Sequence, residues 1–137
     1  TPWSNQGNSS KGGFTLKKLL PFLTLFLVLV LTACGNEGYR NVSSDEAKKL
    51  IDNKEVVVLD VRTQEEFQTG HIPDATLIPV QELEERLNEL KKNDPYLVVC
   101  RSGNRSVKAS EILTSKGFKK IYNLTEGMNA WPFEIEQ

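Results

Sequence analysis

Cys100 opens a six-residue segment, Cys100-Arg101-Ser102-Gly103-Asn104-Arg105, whose residue types suit nucleophilic chemistry. A cysteine reacts as its thiolate, and nearby positive charge and hydrogen-bond donors favour that form. Arg101 and Arg105 supply the charge, while Gly103 permits a tight turn whose amide groups can point at one atom. A cysteine considered alone is more often a buried, inert thiol. This spacing instead favours a reactive one.

The elements on either side of this segment predict where the thiol lies. An apolar run at residues 96–99 is typical of a buried strand, and residues 104–116 form an amphipathic pattern typical of a helix that Gly117 ends. Cys100 is therefore expected at the carboxyl edge of a sheet, facing the amino terminus of a helix. The positive end of that helix would lower the pKa of the thiol from its usual value of about 8.5 toward neutrality.

The rest of the chain from residue 39 onward predicts alternating strands and helices. Helices are expected after the capping-box patterns that begin at Ser43 and Thr63, and over residues 80–92, where leucines recur at helical spacing. Strands are expected at residues 39–42, 55–60, 75–78, 96–99 and 120–124. Such an alternation predicts an α/β fold in which a central parallel sheet lies between two layers of helices, a three-layer α/β/α domain.

The cysteine segment resembles the active-site loop of the rhodanese superfamily, whose pattern is Cys, two residues, Gly, one residue, Arg. Residues 60–62, 66–67 and 70–75 are similar to the upstream signature of that family, and residues 127–131 to its carboxyl-terminal signature. The resemblance covers residues 39–131. One departure is Glu126, which stands where the family usually has the first of two glycines.

The resemblance implies a sulfurtransferase that needs no cofactor and carries sulfur as a persulfide on Cys100. A small donor such as thiosulfate would supply the sulfur, and cyanide or a thiol would accept it. Arg105 would fix the loop or balance its charge, and Arg101 would meet an anionic donor. The remaining residues expected to bind substrate are Ser102, Gly103, Asn104 and Ser106.

Five residues outside the loop also need an interpretation. Asp60 and Arg62 follow a predicted strand, where they could form an ion pair that braces the sheet edge or act directly in the site. His71 is the only histidine of the chain, but a thiolate that its surroundings already stabilise needs no general base. We therefore assign His71 a structural role, and we expect Trp131 and Phe67 in the core.

Two other functions fit the same fold. A phosphatase would use the same amide groups for a phosphate, but the family's phosphatase branch has five residues between Cys and Arg, whereas Cys100 and Arg105 enclose only four. A non-catalytic module could sense sulfide or dock a partner at the cell envelope. Domains of that kind often lack the cysteine, which this chain retains together with its loop.

The amino-terminal part of the chain predicts attachment to a membrane. Residues 1–15 are polar and are interpreted as a disordered or expression-derived leader, and residues 16–34 as a signal peptide or membrane anchor. Lys17 and Lys18 precede an apolar run that ends in Leu31-Thr32-Ala33-Cys34, which resembles the lipobox of bacterial lipoproteins. The sequence therefore predicts lipidation of Cys34 and places a rhodanese domain, residues 39–137, on the outer side of a bacterial membrane. A retained transmembrane helix is the alternative.

Composition excludes several other classes of function. A net charge of -1 provides no general attraction for nucleic acid. One histidine and two cysteines do not form a credible zinc site, and a disulfide between Cys34 and Cys100 is a poor match to their positions. No metal is expected, and the sequence leaves the oligomeric state open.

Overall fold

A computed structural model of the chain describes residues 38–137. The predicted leader, the predicted signal or anchor segment and the lipidation of Cys34 lie outside these residues. Among residues 38–137, no helix is both long enough and apolar enough to cross a membrane.

A five-stranded sheet forms the centre of the domain, and all of its strands are parallel. The order across the sheet is β1-β5-β4-β2-β3. The central strand β4 is buried along its whole length, which explains its uninterrupted apolar sequence. The strands are β1 (Arg40–Val42), β2 (Val57–Asp60), β3 (Thr76–Leu77), β4 (Tyr96–Val99) and β5 (Ile121–Leu124).

Helices flank the sheet, which confirms the predicted three-layer α/β/α architecture. They are α1 (Ser44–Asp52), α2 (Gln64–Gln68) and α3 (Asn104–Ser115), with 3₁₀ helices at Leu83–Glu89 and Met128–Ala130. The capping box of α2 is complete, because the Thr63 hydroxyl accepts from the Glu66 amide and the Glu66 carboxylate accepts from the Thr63 amide. The capping box predicted for α1 is only half present. The Ser43 hydroxyl accepts from the Glu46 amide, whereas the Glu46 carboxylate pairs with Arg40.

The helix predicted over residues 80–92 is wrong in type and extent, because the structure has the 3₁₀ helix Leu83–Glu89 there. Glu82 precedes it without a side-chain hydrogen bond to the first turn, so the stabilisation that usually starts an α-helix is missing. The tighter 3₁₀ turns still bury Leu83 completely and leave Leu87 and Leu90 packed against the core.

Alternation along β4 decides which face of the sheet receives each side chain. Tyr96, Val98 and Cys100 join one core cluster, which also contains Ala109 and Leu113 of α3. The intervening residues of β4 join the cluster on the other face, which contains Ala47 of α1. Because Cys100 continues this alternation one residue past the end of β4, its side chain lies on the same face as α3.

Candidate active site

The thiol of Cys100 lies at the floor of the loop between β4 and α3. The Gly103 amide donates to Cys100 Sγ at 3.1 Å, and Ser106 Oγ lies 3.4 Å from the same sulfur. Cys100 is fully buried, with the apolar core beneath it. The predicted position of Cys100, between the carboxyl end of a strand and the start of a helix, is confirmed, since β4 ends at Val99 and α3 begins at Asn104. Since Cys100 has no exposed surface, a molecule from solvent can reach the sulfur only if the groups around it move.

Opposing influences act on the pKa of this thiol. Burial raises the pKa of Cys100 and is the largest single influence. Hydrogen bonds from the Ser106 side chain and from the amides of Ser106, Ser102 and Gly103 lower it, and together they outweigh burial. The net pKa lies below the ordinary value of a thiol, so the loop favours a negatively charged sulfur.

Two glycines let the chain close around the sulfur. Gly103 has a φ of +96°, and a Cβ atom there would lie 2.2 Å from the carbonyl oxygen of Thr125. Gly127 has a φ of +65°, and its Cβ would lie 2.5 Å from the carbonyl oxygen of Arg101. No other residue type fits either position without moving the backbone. The loop is thus packed directly against the chain that follows β5.

Backbone hydrogen bonds tie the loop to that following segment. The Met128 amide donates to the carbonyl oxygen of Cys100 at 2.8 Å, and the Asn129 amide donates to that of Arg101 at 2.9 Å. The departure at Glu126 leaves this arrangement intact, because Gly127 keeps the close approach and the Glu126 carboxylate accepts from the Ser44 hydroxyl at 3.1 Å.

Arg105 is held by Glu66, which lies 39 positions earlier in the chain. The two side chains form a bidentate ion pair with both N–O distances at 2.7 Å. The hydrogen bond from Arg105 is the main reason why the pKa of Glu66 falls from 4.5 to about 2, against the opposing effect of burial. Because its guanidinium is engaged in this way, Arg105 braces α3 against α2. Whether Arg105 fixes the loop or balances its charge during the reaction stays a prediction.

Asp60 and Arg62 form a buried ion pair. Arg62 Nη2 lies 2.6 Å from Asp60 Oδ2, and the two side chains are only 6% and 1% exposed, respectively. Arg62 also donates to the carbonyl oxygen of Gly70 at 2.9 Å. The ion pair that the sequence allowed is therefore present, and a direct role of these two residues in the site stays a prediction.

A cleft of about 560 Å³ opens beside the loop. Among the residues predicted to bind substrate, Arg101 lines it, whereas Ser106 is buried beside the sulfur and Gly103 is buried in the turn. Ser102 and Asn104 are exposed but do not contribute to this lining. The other lining residues are Arg62, Glu65, Glu66, Thr69, Gly70, Met128, Asn129, Trp131, Phe133 and Ile135.

The sequence did not predict most of the residues that line the cleft. Trp131, expected in the core, packs against one core cluster but is only partly buried and also lines the cleft. Glu66 was identified through a capping box and through the upstream family signature, but its ion pair with Arg105 was not predicted. The two family signatures were the available signals, because residues 60–62, 66–67 and 70–75 and residues 127–131 lie far from Cys100 in the chain and yet contribute residues to the cleft.

His71 is engaged by structural contacts. Its Nδ1 lies 3.0 Å from the carbonyl oxygen of Phe67, and its backbone exchanges two hydrogen bonds with Glu136. Phe67, predicted to be a core residue, is only partly buried and stacks on the His71 ring with centroids 3.6 Å apart. These contacts fit the structural role that we assigned to the histidine.

Removal of the Ser106 hydroxyl should raise the pKa of Cys100. In a Cys34→Ser background, we expect Ser106→Ala to shift the appearance of the thiolate to higher pH. The Ser106 hydroxyl, which donates to the carbonyl oxygen of Gly103 at 3.0 Å and lies 3.4 Å from the sulfur, can turn to donate to the negative sulfur, and the variant lacks that donor. The fraction of thiolate at pH 7 should fall by up to roughly tenfold. Ultraviolet absorbance of the thiolate during a pH titration measures this.

Ser110→Ala is the matched control for that titration. Ser110 lies one turn further along α3, is equally buried, and its hydroxyl has no hydrogen-bond partner among residues 38–137. Its replacement should leave the titration unchanged. If the Ser106→Ala and unsubstituted curves coincide, the side-chain hydroxyl does not stabilise the thiolate.

Comparison with known proteins identifies relatives of this domain. Residues 43–133 match the model of the rhodanese-like domain family. The chain is 40% identical over 96 residues to a putative sulfur carrier protein of Bacillus subtilis, covering 69% of this chain and 52% of that protein. It is 32% identical over 93 residues to the thiosulfate sulfurtransferase GlpE of Coxiella burnetii, covering 68% of this chain and 87% of that protein. The chain thus spans about half the length of the Bacillus relative.

Solved structures show the same fold. A rhodanese-like domain protein of Staphylococcus aureus superimposes with a TM-score of 0.66 at 39% identity, covering 71% of this chain and 96% of that chain. A human single-domain sulfurtransferase superimposes with a TM-score of 0.63 at 28% identity, covering 66% of this chain and 93% of that chain.

Proposed function

We propose that this chain, which belongs to the rhodanese-like domain family, transfers sulfur from a donor such as thiosulfate through a persulfide on Cys100. The observation that carries the proposal is the Gly103 amide 3.1 Å from Cys100 Sγ, in a loop that lowers the pKa of the thiol. Relatives named as sulfurtransferases support the general activity.

In the first step, the Cys100 thiolate attacks the outer sulfur of thiosulfate. A bond forms between Sγ and that sulfur, the bond to the sulfonate sulfur breaks, and sulfite leaves with the electron pair. The total charge is unchanged, because the negative charge of the thiolate passes to the terminal sulfur of the persulfide. Arg101, exposed and at the cleft, is suited to attract the dianionic donor.

In the second step, cyanide or a thiolate attacks the terminal sulfur. The bond between the two sulfurs breaks, its electron pair returns to Sγ, and the acceptor leaves as thiocyanate or as a new persulfide. Amide groups that stabilise the thiolate also stabilise this returning charge, without reorganisation during the reaction. Arg105, held by Glu66, acts through the position of α3 and does not need to contact the donor.

A sulfur carrier is the second candidate function, and the 40% identity to a putative sulfur carrier protein favours it specifically. A carrier would load Cys100 in the same way but deliver the sulfur to another protein. Efficient turnover with cyanide supports the small-molecule enzyme, whereas stoichiometric loading without turnover supports the carrier.

Mass measurement after incubation with thiosulfate tests the proposal. We expect the protein to gain one sulfur atom and the peptide that contains Cys100 to carry it, while the Cys34 peptide remains unmodified. Addition of cyanide should remove the extra mass and release thiocyanate. Absence of the adduct with thiosulfate, together with hydrolysis of an aryl phosphate, would favour a phosphatase of the same fold and reject the proposal.

We also propose that residues 16–34 attach the domain to the bacterial cell envelope, on the extracytoplasmic side of a membrane. The two lysines before the apolar run and the lipobox-like end at Cys34 support this.

A further inference from the structure

We propose that one edge of the sheet, opposite the Cys100 loop, docks on an anionic lipid bilayer. This basic edge consists of the loops before β2, β4 and β5, residues 53–56, 91–95 and 116–120. The inference goes beyond sulfur transfer and depends on the proposed membrane attachment. It assigns a function to a surface that the reaction does not use.

Contacts between the loops show that the basic edge is continuous. The Val57 amide donates to the carbonyl oxygen of Pro95, and the Tyr96 amide donates to that of Lys120, each at 2.9 Å. A Cβ atom on Gly117 would lie 3.8 Å from Lys92 Nζ. Since all five strands are parallel, these loops lie at the amino ends of the strands, whereas Cys100 follows the carboxyl end of β4.

The charge of the basic edge is strongly one-sided. Its carboxylates are Glu55 and Asp94, and none of its lysines forms an ion pair within residues 38–137. Each exposed lysine near an anionic membrane surface strengthens binding by roughly fivefold. The exposed lysines are Lys54, Lys91, Lys92, Lys116, Lys119 and Lys120.

A cleft beside these lysines has the character of a membrane interface. It has a volume of about 490 Å³, and Tyr39 and Tyr122 line it together with Lys119 and Lys120. Tyrosine combines an apolar ring with a polar hydroxyl, which suits the headgroup region of a bilayer. Cationic and aromatic groups thus lie on the same surface.

The path of the chain favours a bilayer over other anionic partners. Gly38 lines the same cleft as Lys119 and Lys120, two residues before β1, and lies four positions after Cys34, a reach of at most about 14 Å. Attachment at Cys34 would hold the basic edge at high local concentration beside lipid headgroups. Free nucleic acid has no such attachment, so the same lysines would have to bind it without this increase in local concentration. Docking in this way turns the Cys100 loop toward the aqueous side.

Lysine acylation of the full chain, read by mass spectrometry, tests the docking. The chain is incubated with phosphatidylcholine vesicles or with vesicles that also contain phosphatidylglycerol. We expect Lys91, Lys92, Lys119 and Lys120 to react at least about threefold more slowly on anionic vesicles only. Lys108, exposed on α3, is the internal control and should react equally on both. Salt at about 0.5 M should abolish the difference.

Charge reversal provides the second arm. The variant Lys92→Glu/Lys119→Glu/Lys120→Glu should lose the slower reaction of Lys91 on anionic vesicles, whereas Lys108→Glu should retain it. Equal reactivity on the two vesicle types, or slowing by duplex DNA without slowing by anionic vesicles, would overturn the proposal. Sedimentation of the full chain with phosphatidylcholine vesicles tests the proposed anchor independently of the lysines. Uptake of sulfur by the triple variant tests the proposed sulfurtransferase independently of docking.

Discussion

Replacement of the proposed nucleophile, Cys100→Ser, is expected to lower the rate of thiocyanate formation from thiosulfate and cyanide by at least about a thousandfold. A serine oxygen cannot hold a transferable sulfur, and it is almost wholly protonated at neutral pH. The substitution preserves the volume of the side chain and leaves an oxygen to accept from the Gly103 amide. The fold should therefore survive, which circular dichroism can verify.

Cys34→Ser is the matched control, since Cys34 is the only other cysteine. It should keep the full rate of thiocyanate formation in detergent solution. Kinetics of the unsubstituted protein should follow a double-displacement pattern, in which sulfite leaves before cyanide binds. If Cys100→Ser retained more than about a tenth of the rate, the persulfide would have to form elsewhere.

Removal of one partner of the buried ion pair, Asp60→Ala, is expected to lower the free energy of unfolding by about 3–5 kcal/mol. Arg62, whose side chain is only 6% exposed in the unsubstituted protein, would lose its carboxylate partner and keep the carbonyl oxygen of Gly70. For a domain of this size, each kcal/mol corresponds to a fall of about 4–8 °C in Tm. Urea denaturation and calorimetry measure both quantities.

The double variant Asp60→Leu/Arg62→Met separates the ion pair from other effects. It removes both charges, so much of the lost stability should return, because a buried pair is often replaced by apolar residues at little cost. At a temperature where the single variant Asp60→Ala is still folded, the amount of sulfur that this variant takes up from thiosulfate should remain nearly normal. A loss of less than about 1 kcal/mol with a large loss of sulfur uptake would instead give Asp60 a direct role.

Local features of the sequence were sufficient to predict most of the fold. Apolar runs identified β2 and β4, and the Thr63 capping box identified the start of α2, because each signal depends on residues close together in the chain. The position of Cys100 between a strand and a helix followed for the same reason. The 3₁₀ helix Leu83–Glu89 was missed because leucine spacing indicates a buried side but does not distinguish the two helix types.

Contacts between distant segments were decided only by the tertiary structure. Glu66 could be recognised as a cap, but its pairing with Arg105 depends on how α2 and α3 pack. Trp131 lines the cleft because Gly127 brings the chain after β5 against the Cys100 loop. The sequence by itself determined the place of Cys100 between a strand and a helix, the turn that follows it and the order of the elements, since these depend on neighbouring residues. Packing alone decided what braces the loop and what surrounds the cleft, because no local periodicity records which distant side chains will meet.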